Sequence, residues 1–497
     1  MTSLLQNPLY LPEHLGQPLP GAIHAVSVCL PTWRDVVGYE TGEPRVVSAL
    51  RSGYPRFVYH PLCRELFERI RHRLNPRDHA VLVFPNASAA RRCAAFIGDE
   101  ARVHTLNLGE LHATSFPPAL ADRAKCYWQH AGEGISSRTA EGALAPSPSE
   151  GEGTDAKSIL RQRIAALAGA SADDVYLYPT GMSAIFTLHR ALRTIRPDRP
   201  AAQFGFPYVD TLKILDKFSP SHHPPLFFPT VTPDALDRLA ATLARTPIAG
   251  LFTELPSNPL LTSPDLVRLA ALARGVASGG GGPLVVDETL ATWVNADVLH
   301  LADVSATSLT KFFSGTGDVA GGCLIVSRHG AMYDQLKSAL ESVHEDLLAD
   351  ADAAVLEHNS RDFAERMTRI NANAAMLAEH LARHPKVRRV HYPMRTTAAA
   401  FDQVRRVRGG FGGLLSVELR NAPDAAPRFY DALRCCKGPN LGTNFTLVCP
   451  YTLLAHYNEL DWAESRGVSR WLIRISAGLE NAQDLIARFD EALDATT

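Results

Sequence analysis

Lys311 stands between the hydroxyl residues Ser308 and Thr310 and a glycine-rich run that extends to Gly322, the stretch reading SLTKFFSGTGDVAGG. An amine held out of bulk water loses its proton readily and attacks carbonyl carbon, so this spacing suits Schiff-base chemistry. The two neighbouring hydroxyls suit an anion such as a phosphate. A lysine after a strand is ordinarily a solvated surface charge. Here the flanking hydroxyls and glycines are what point to chemistry.

Two more segments share that character. At Thr180-Gly181-Met182-Ser183 the apolar run Val175 to Tyr178 turns into a helical pattern, whose first N–H groups can hold a phosphate while Gly181 permits close approach. Taken alone, a glycine at such a turn is also an ordinary structural feature. Asp287 ends the run Leu284-Val285-Val286, which is too apolar for a casual carboxylate. It can keep a pyridine nitrogen protonated, or it can simply cap a helix. A reactive amine, a phosphate cradle and a pyridinium partner converge on pyridoxal 5'-phosphate.

These residues need elements to position them. From Ile159 the chain alternates helical and strand-like segments: strands over Val175 to Tyr178, Ala202 to Phe206, Ile248 to Thr253 and Leu284 to Val286, then Ala302 to Thr307 before Lys311. The alternation predicts an α/β fold, a mostly parallel sheet with helices on both faces, in which ligands gather at the carboxyl ends of the strands. Beyond about residue 340 the pattern changes to a long helix (Val355 to Arg383), the strands Val387 to Tyr392, Gly413 to Leu419 and Trp471 to Ser476, and intervening helices, a smaller α+β domain. The expected division is an N-terminal extension over 1–157 ending in a low-complexity loop (141–157), a large cofactor-binding domain over 158–345, and a C-terminal domain over 346–497.

The 497 residues exceed what one core usually serves. A formal net charge of −2 and the lack of a long basic run argue against nucleic acid or an anionic membrane as partner and for a small molecule. The eight cysteines form no CxxC pair or zinc-ligand spacing, so no metal is expected; reduced thiols, the absence of a secretory signal pattern and the lack of any membrane-length apolar run together imply a cytoplasmic protein.

The strings PTGMSAI, FTELPSNP, VVDET, SLTKFFSGTGDVAGG and RISAGLEN, in that order, resemble the Cys/Met-metabolism family of pyridoxal-phosphate enzymes, and HAVSVCLPTW, GYPRF and LGTNFTLVCPYTLLAHY look most like its fungal cystathionine γ-synthase-like branch. The resemblance implies a type I aminotransferase-like fold and a homo-oligomer, a dimer of dimers with shared active sites. It makes Lys311 the Schiff-base lysine, Asp287 the partner of the pyridine nitrogen, and Gly181, Met182, Ser308 and Thr310 the phosphate cradle. Tyr208 becomes the tyrosine stacked on the cofactor and assisting the leaving group, Asn258 the asparagine near its phenolic oxygen, and Arg474 the fork that grips the substrate carboxylate. For the arginine that reaches a neighbouring subunit's phosphate there are two candidates, Arg56 in Tyr54-Pro55-Arg56 and Arg138, and Arg138 is preferred. Two departures from the family pattern, Thr316 for a histidine and Asn440 for a serine, are expected near the substrate.

The implied reaction is γ-replacement on an O-acyl-L-homoserine, most simply by the thiol of L-cysteine. The alternatives are a carbon or amine nucleophile, γ-elimination, and a cofactor-binding scaffold without turnover.

Overall fold

The computed structural model describes residues 4–53, 58–74, 78–145, 155–220, 222–275 and 281–496. Among the described residues fifteen strands form three sheets. Short strands, most of them buried along their length, build the largest: β4 (Val175–Tyr178), β5 (Ala202–Phe204), β6 (Leu226–Phe228), β7 (Leu251–Glu254), β8 (Leu284–Asp287), β9 (Val304–Ser308) and β10 (Gly322–Val326), in the order β4-β10-β9-β8-β7-β5-β6. The neighbours from β9 through β6 pair in parallel, whereas β10 is antiparallel to both β9 and β4. Two reversals return β4 to the direction of the parallel set. The carboxyl ends of β4, β5, β7, β8 and β9 therefore share one edge, and Gly322, at the start of β10, lies on it. A Cβ on Gly322 would come within 2.3 Å of the Thr180 carbonyl oxygen, so this approach of two backbones requires glycine.

The second sheet comprises β11 (Val387–His391), β12 (Leu414–Leu419), β13 (Cys436–Lys437), β14 (Leu447–Pro450) and β15 (Ile473–Ser476), in the order β11-β12-β15-β14-β13. β15 occupies the middle and is buried throughout. The single long helix expected over Val355 to Arg383 is instead two, Asp350–Asn359 and Phe363–Arg383. At the break Arg366, 5% exposed, donates from Nη2 at 3.0 Å to the Asn359 carbonyl, a group that a helix end leaves open, and from Nε to the Asp362 carboxylate at 2.6 Å.

The N-terminal 157 residues pack in two places. Val28, Leu30, Val36 and Val46 join Leu377, Phe429 and Val448 in the core of the C-terminal sheet. Lys437, fully buried, donates to the carbonyls of Pro31 and Asp431 at 2.9 Å each, and Tyr430 donates to Leu30 at 2.7 Å. Farther along, β1 (Ala80–Phe84), β2 (Arg102–Thr105) and β3 (His112–Phe116) form an antiparallel sheet in the order β1-β3-β2, and its Phe84 and the nearby Tyr127 pack with Phe186 and Leu192 of the large domain. The expected loop over 141–157 is shorter at both ends. A helix runs over Ser137–Leu144, and Asp155 caps another over Ala156–Ala168; residues 146–154 lie outside the described residues.

Candidate active site

The expected site residues other than Arg138 and Thr316 line one cavity, at the shared carboxyl edge of the large sheet. Thr180 caps the helix Gly181–Ile195 by accepting the Ser183 N–H at 3.0 Å, so that helix begins at the cavity wall with Gly181 and Met182 as its first residues. A Cβ on Gly181 would come 2.9 Å from the Ser308 Cβ. The two strand ends thus approach closely enough to make a narrow cradle of backbone N–H groups and hydroxyls. Thr289 Oγ1 accepts the Ser308 N–H at 2.8 Å, and Thr310 Oγ1 accepts the Gly321 N–H at 3.0 Å, which fixes both hydroxyl residues.

The turn after Lys311 is held from beneath. Arg366 donates to the carbonyls of Phe312, Phe313 and Ser314 at 3.1, 2.9 and 3.3 Å. Lys311 Nζ donates to Oδ1 of Asn440 at 2.5 Å. Asn440 is buried, and its Nδ2 has no hydrogen-bond partner among the described residues, which leaves an amide donor at the cavity margin.

Asp287 ends β8 and accepts the Thr289 N–H at 2.9 Å. Burial raises its pKa above the usual aspartate value, and a cation held against it would restore the charged form. Glu254, at the end of the adjacent β7, has its pKa raised well above normal by burial and then by the nearness of Asp287. It accepts the backbone N–H of Tyr208 and, at 3.2 Å, that of Asn258. One carboxyl group thereby positions two cavity residues.

Arg474 enters from the centre of the C-terminal sheet and is 4% exposed. It donates to the carbonyls of Pro439 and Asn440 at 3.0 and 3.1 Å and to Oδ1 of Asn258 at 3.4 Å, and its guanidinium carbon lies 4.9 Å from the centre of the Tyr451 ring. Neutral carbonyls hold its geometry and leave its charge to be matched by an anion in the cavity.

Two expectations fall elsewhere. Arg138 lines an adjoining cavity, where it donates to the Asp318 carbonyl at 2.9 Å and to the Asp352 carboxylate at 3.1 Å; Val26, Thr180, Met182 and Ala320 are walls of both cavities. Tyr54 and Arg56 lie outside the described residues. Thr316 does not line the cavity. It stands between Gly315 and Gly317, both with left-handed φ of 72° and 81°, whereas Asn440 faces the site as expected. Sequence reasoning missed Glu254, Arg366, Thr289 and Val26. Glu254 carried a readable signal, an acid closing an apolar strand just as Asp287 does.

The residues present fit pyridoxal phosphate: a cradle too tight for a side chain at Gly181, a buried carboxylate that a cation would restore to its charged form, an amine within the same cavity and a guanidinium without a carboxylate among its recorded partners.

Comparison with known proteins agrees. Residues 152–494 match the family described as Cys/Met metabolism PLP-dependent enzyme, and residues 62–136 match the fungal trans-sulfuration enzyme N-terminal domain. The chain is similar to a cystathionine gamma-synthase of Neurospora crassa, at 36% identity over 97% of this chain and 98% of the relative. It is also similar to the cystathionine gamma-synthase-like enzyme iboG2 of Amanita muscaria, at 34% identity over 97% and 96%. Its fold matches a crystal structure of cystathionine gamma synthase from Xanthomonas oryzae pv. oryzae with a TM-score of 0.60 and 24% identity, over 69% of this chain and 86% of that one.

Proposed function

The chain belongs to the Cys/Met-metabolism PLP-dependent enzymes, with a type I aminotransferase-like fold, and from that membership we propose that it replaces the γ-substituent of an O-acyl-L-homoserine with a thiol, most simply that of L-cysteine. The observation that carries this reading is the meeting of Lys311, Asp287, Tyr208 and Arg474 around one cavity. A basic amine, a ring-nitrogen partner and a carboxylate clamp together suit an α-amino acid.

Bound there, pyridoxal phosphate supplies an electron sink for charge developed at the amino acid's α-carbon. The backbone N–H groups of Gly181 and Met182 with the Ser308 and Thr310 hydroxyls would hold its phosphate, Asp287 would pair with its ring nitrogen, and Asn258 would serve its phenolic oxygen. Arg474 takes the substrate α-carboxylate and so aims the α-hydrogen. Lys311 would accept that proton and move a second one at the β-carbon, while Tyr208 would protonate the departing acyl oxygen. The enclosing apolar wall, which includes Val26, Ile185, Ile214 and Leu441, excludes water that would compete with the incoming thiol. By the family resemblance Arg138 would reach the phosphate held by a second copy of the chain, which makes a homo-oligomer with shared sites part of this proposal.

One observation favours a second reading. Asn440, where the family resemblance expects serine, binds Lys311 directly, and a changed residue at that point favours a different nucleophile, carbon or amine. The N. crassa relative bears the name of the thiol reaction, and the A. muscaria relative is named only as like it.

The test is mass spectrometry of products from O-acetyl- and O-succinyl-L-homoserine incubated with cysteine and with a panel of carbon and amine nucleophiles. Formation of cystathionine supports the thiol reading, and an adduct with another nucleophile supports the second. Release of only 2-oxobutyrate and ammonia under every condition overturns both.

A further inference from the structure

Tyr208 and Arg474 reach the cavity from different domains, and the segment over 451–469 touches the supports of both. It leaves β14, closes on itself where Thr452 Oγ1 donates to the Ser469 carbonyl at 2.7 Å, and returns to β15, the strand that carries Arg474. Its first residue, Tyr451, places its ring centre 4.9 Å from the Arg474 guanidinium carbon. Its His456 is 2% exposed and packs, between ring centres, at 6.1 Å on Tyr451 and at 5.5 Å on Phe206, which lies just before Pro207 and Tyr208.

Glu459 completes the link. Its Oε1 lies 2.9 Å from His456 Nδ1, and its Oε2 accepts the Lys213 ammonium at 3.2 Å. Lys213 belongs to the helix Val209–Lys217, whose N-cap is Tyr208. A chain of contacts therefore runs from Arg474 through Tyr451, His456, Glu459 and Lys213 to the helix that begins at Tyr208. Trp462 of the same segment packs on Phe206 at 5.6 Å between ring centres, which holds the segment against the large domain. The side chains of Lys213 and Glu459 are 35% and 30% exposed, so their ion pair adds little to global stability. What it joins is the backing of two residues of one site.

We propose that Glu459 is a positioning residue that sets substrate length, favouring amino acids with the leaving group on the γ-carbon over those with it on the β-carbon. The inference rests on the γ-replacement reading, in which Arg474 takes the α-carboxylate and Tyr208 serves the leaving oxygen. Glu459 bonds the support of each, and so fixes the gap between carboxylate grip and leaving-group acid. A β-substituted amino acid is one carbon shorter. With its carboxylate on Arg474, its leaving oxygen falls short of Tyr208, and a misplacement of about 1 Å can cost on the order of a hundredfold in rate. Loosening the link lets the two residues approach, which relieves the shorter substrate and removes the advantage of the longer one.

Acetate release from O-acetyl-L-homoserine and from O-acetyl-L-serine by the holoenzyme, with cysteine present, tests this as a ratio of kcat/KM values. Wild type is expected to favour the homoserine ester, and Glu459→Ala and Lys213→Met each to lower the ratio about fivefold or more, with cofactor affinity and unfolding midpoint unchanged. Glu459→Gln should keep most of the selectivity, because its amide oxygen still accepts from Lys213 and its NH2 can donate to His456 Nδ1 in the other tautomer. Lys213→Met decides the matter if Glu459→Ala fails to fold. An unchanged ratio in the folded variants overturns the proposal, as does a wild type that prefers the serine ester or a loss of cofactor affinity that matches the loss of selectivity. The ratio counts acetate whichever product forms, so product identity, adduct or 2-oxobutyrate, decides the γ-replacement reading separately. A wild type that releases acetate from neither ester overturns both.

Discussion

Lys311 and Asn440 are 129 residues apart and joined by a 2.5 Å hydrogen bond from Nζ to Oδ1. The amine belongs to the large sheet's edge and its acceptor to the segment leading into β14, so the bond ties the reactive group of one domain to the substrate side of the other. Because Arg474 also donates to the Asn440 carbonyl, the amine and the carboxylate clamp are registered through one residue.

Lys311 should carry the cofactor covalently. Protein incubated with pyridoxal phosphate and treated with borohydride is expected to show the added mass on the peptide containing Lys311, and Lys311→Ala to lack both the adduct and turnover. An adduct elsewhere, with activity retained in the variant, would refute the assignment.

Arg474→Ala should lower kcat/KM about 10- to 100-fold, mainly through KM, as expected for loss of a charge-assisted grip on a carboxylate. Cofactor binding should be unchanged. Steady-state kinetics alongside cofactor titration separates the two effects, and an equal fall in cofactor affinity would contradict the role.

Glu254 separates shape from charge. Burial, and then the nearness of Asp287, raises its pKa well above the usual carboxylate value, and its oxygens accept the N–H groups of Tyr208 and Asn258. Glu254→Gln keeps one acceptor oxygen but turns its NH2 toward the other backbone N–H, so it should destabilise the fold less than loss of both acceptors. Glu254→Ala leaves buried donors unmet and should cost about 2 kcal/mol or more. Denaturant unfolding of the pair distinguishes these outcomes.

Lys437 predicts a rise in stability with alkali. Burial lowers its pKa from 10.5 to about 8, so between those values the unfolded chain holds the proton that the folded protein has released, and stability increases as pH rises through the window. The contribution is roughly 3 kcal/mol at most. Lys437→Met should remove it. The difference between wild type and variant across the window isolates this lysine from the buried thiols and phenols that titrate nearby.

How much of this was legible in the sequence depends on where each residue's partners lie. β4 was readable to the residue, because Val175 to Tyr178 is an apolar run bounded by Asp174 and Pro179. Lys311, Gly181 and Asp287 were readable because each breaks an apolar pattern where a strand ends. The break at 360–362 was not, since the apolar spacing continues across it and Arg366 reaches the Asn359 carbonyl only in the folded chain. Arg366 itself looked like one more charge on a helix, and only the fold aims it at three carbonyls beside Lys311. β2 was missed for the opposite reason: Arg102–Thr105 is largely exposed and has no apolar signature. The packing of the first 50 residues on the C-terminal sheet had no local signal at all, because its contacts lie some 400 residues away.

That last arrangement has a consequence for synthesis. Leu30 and Pro31 leave the ribosome early but find their partners only when Tyr430 and Lys437 have emerged. β15, made after every other strand described, inserts into the middle of its sheet and delivers Arg474. If Arg474 takes the substrate carboxylate as proposed, a nascent chain whose large sheet is already built around Lys311 still lacks that grip until the last strand is in place.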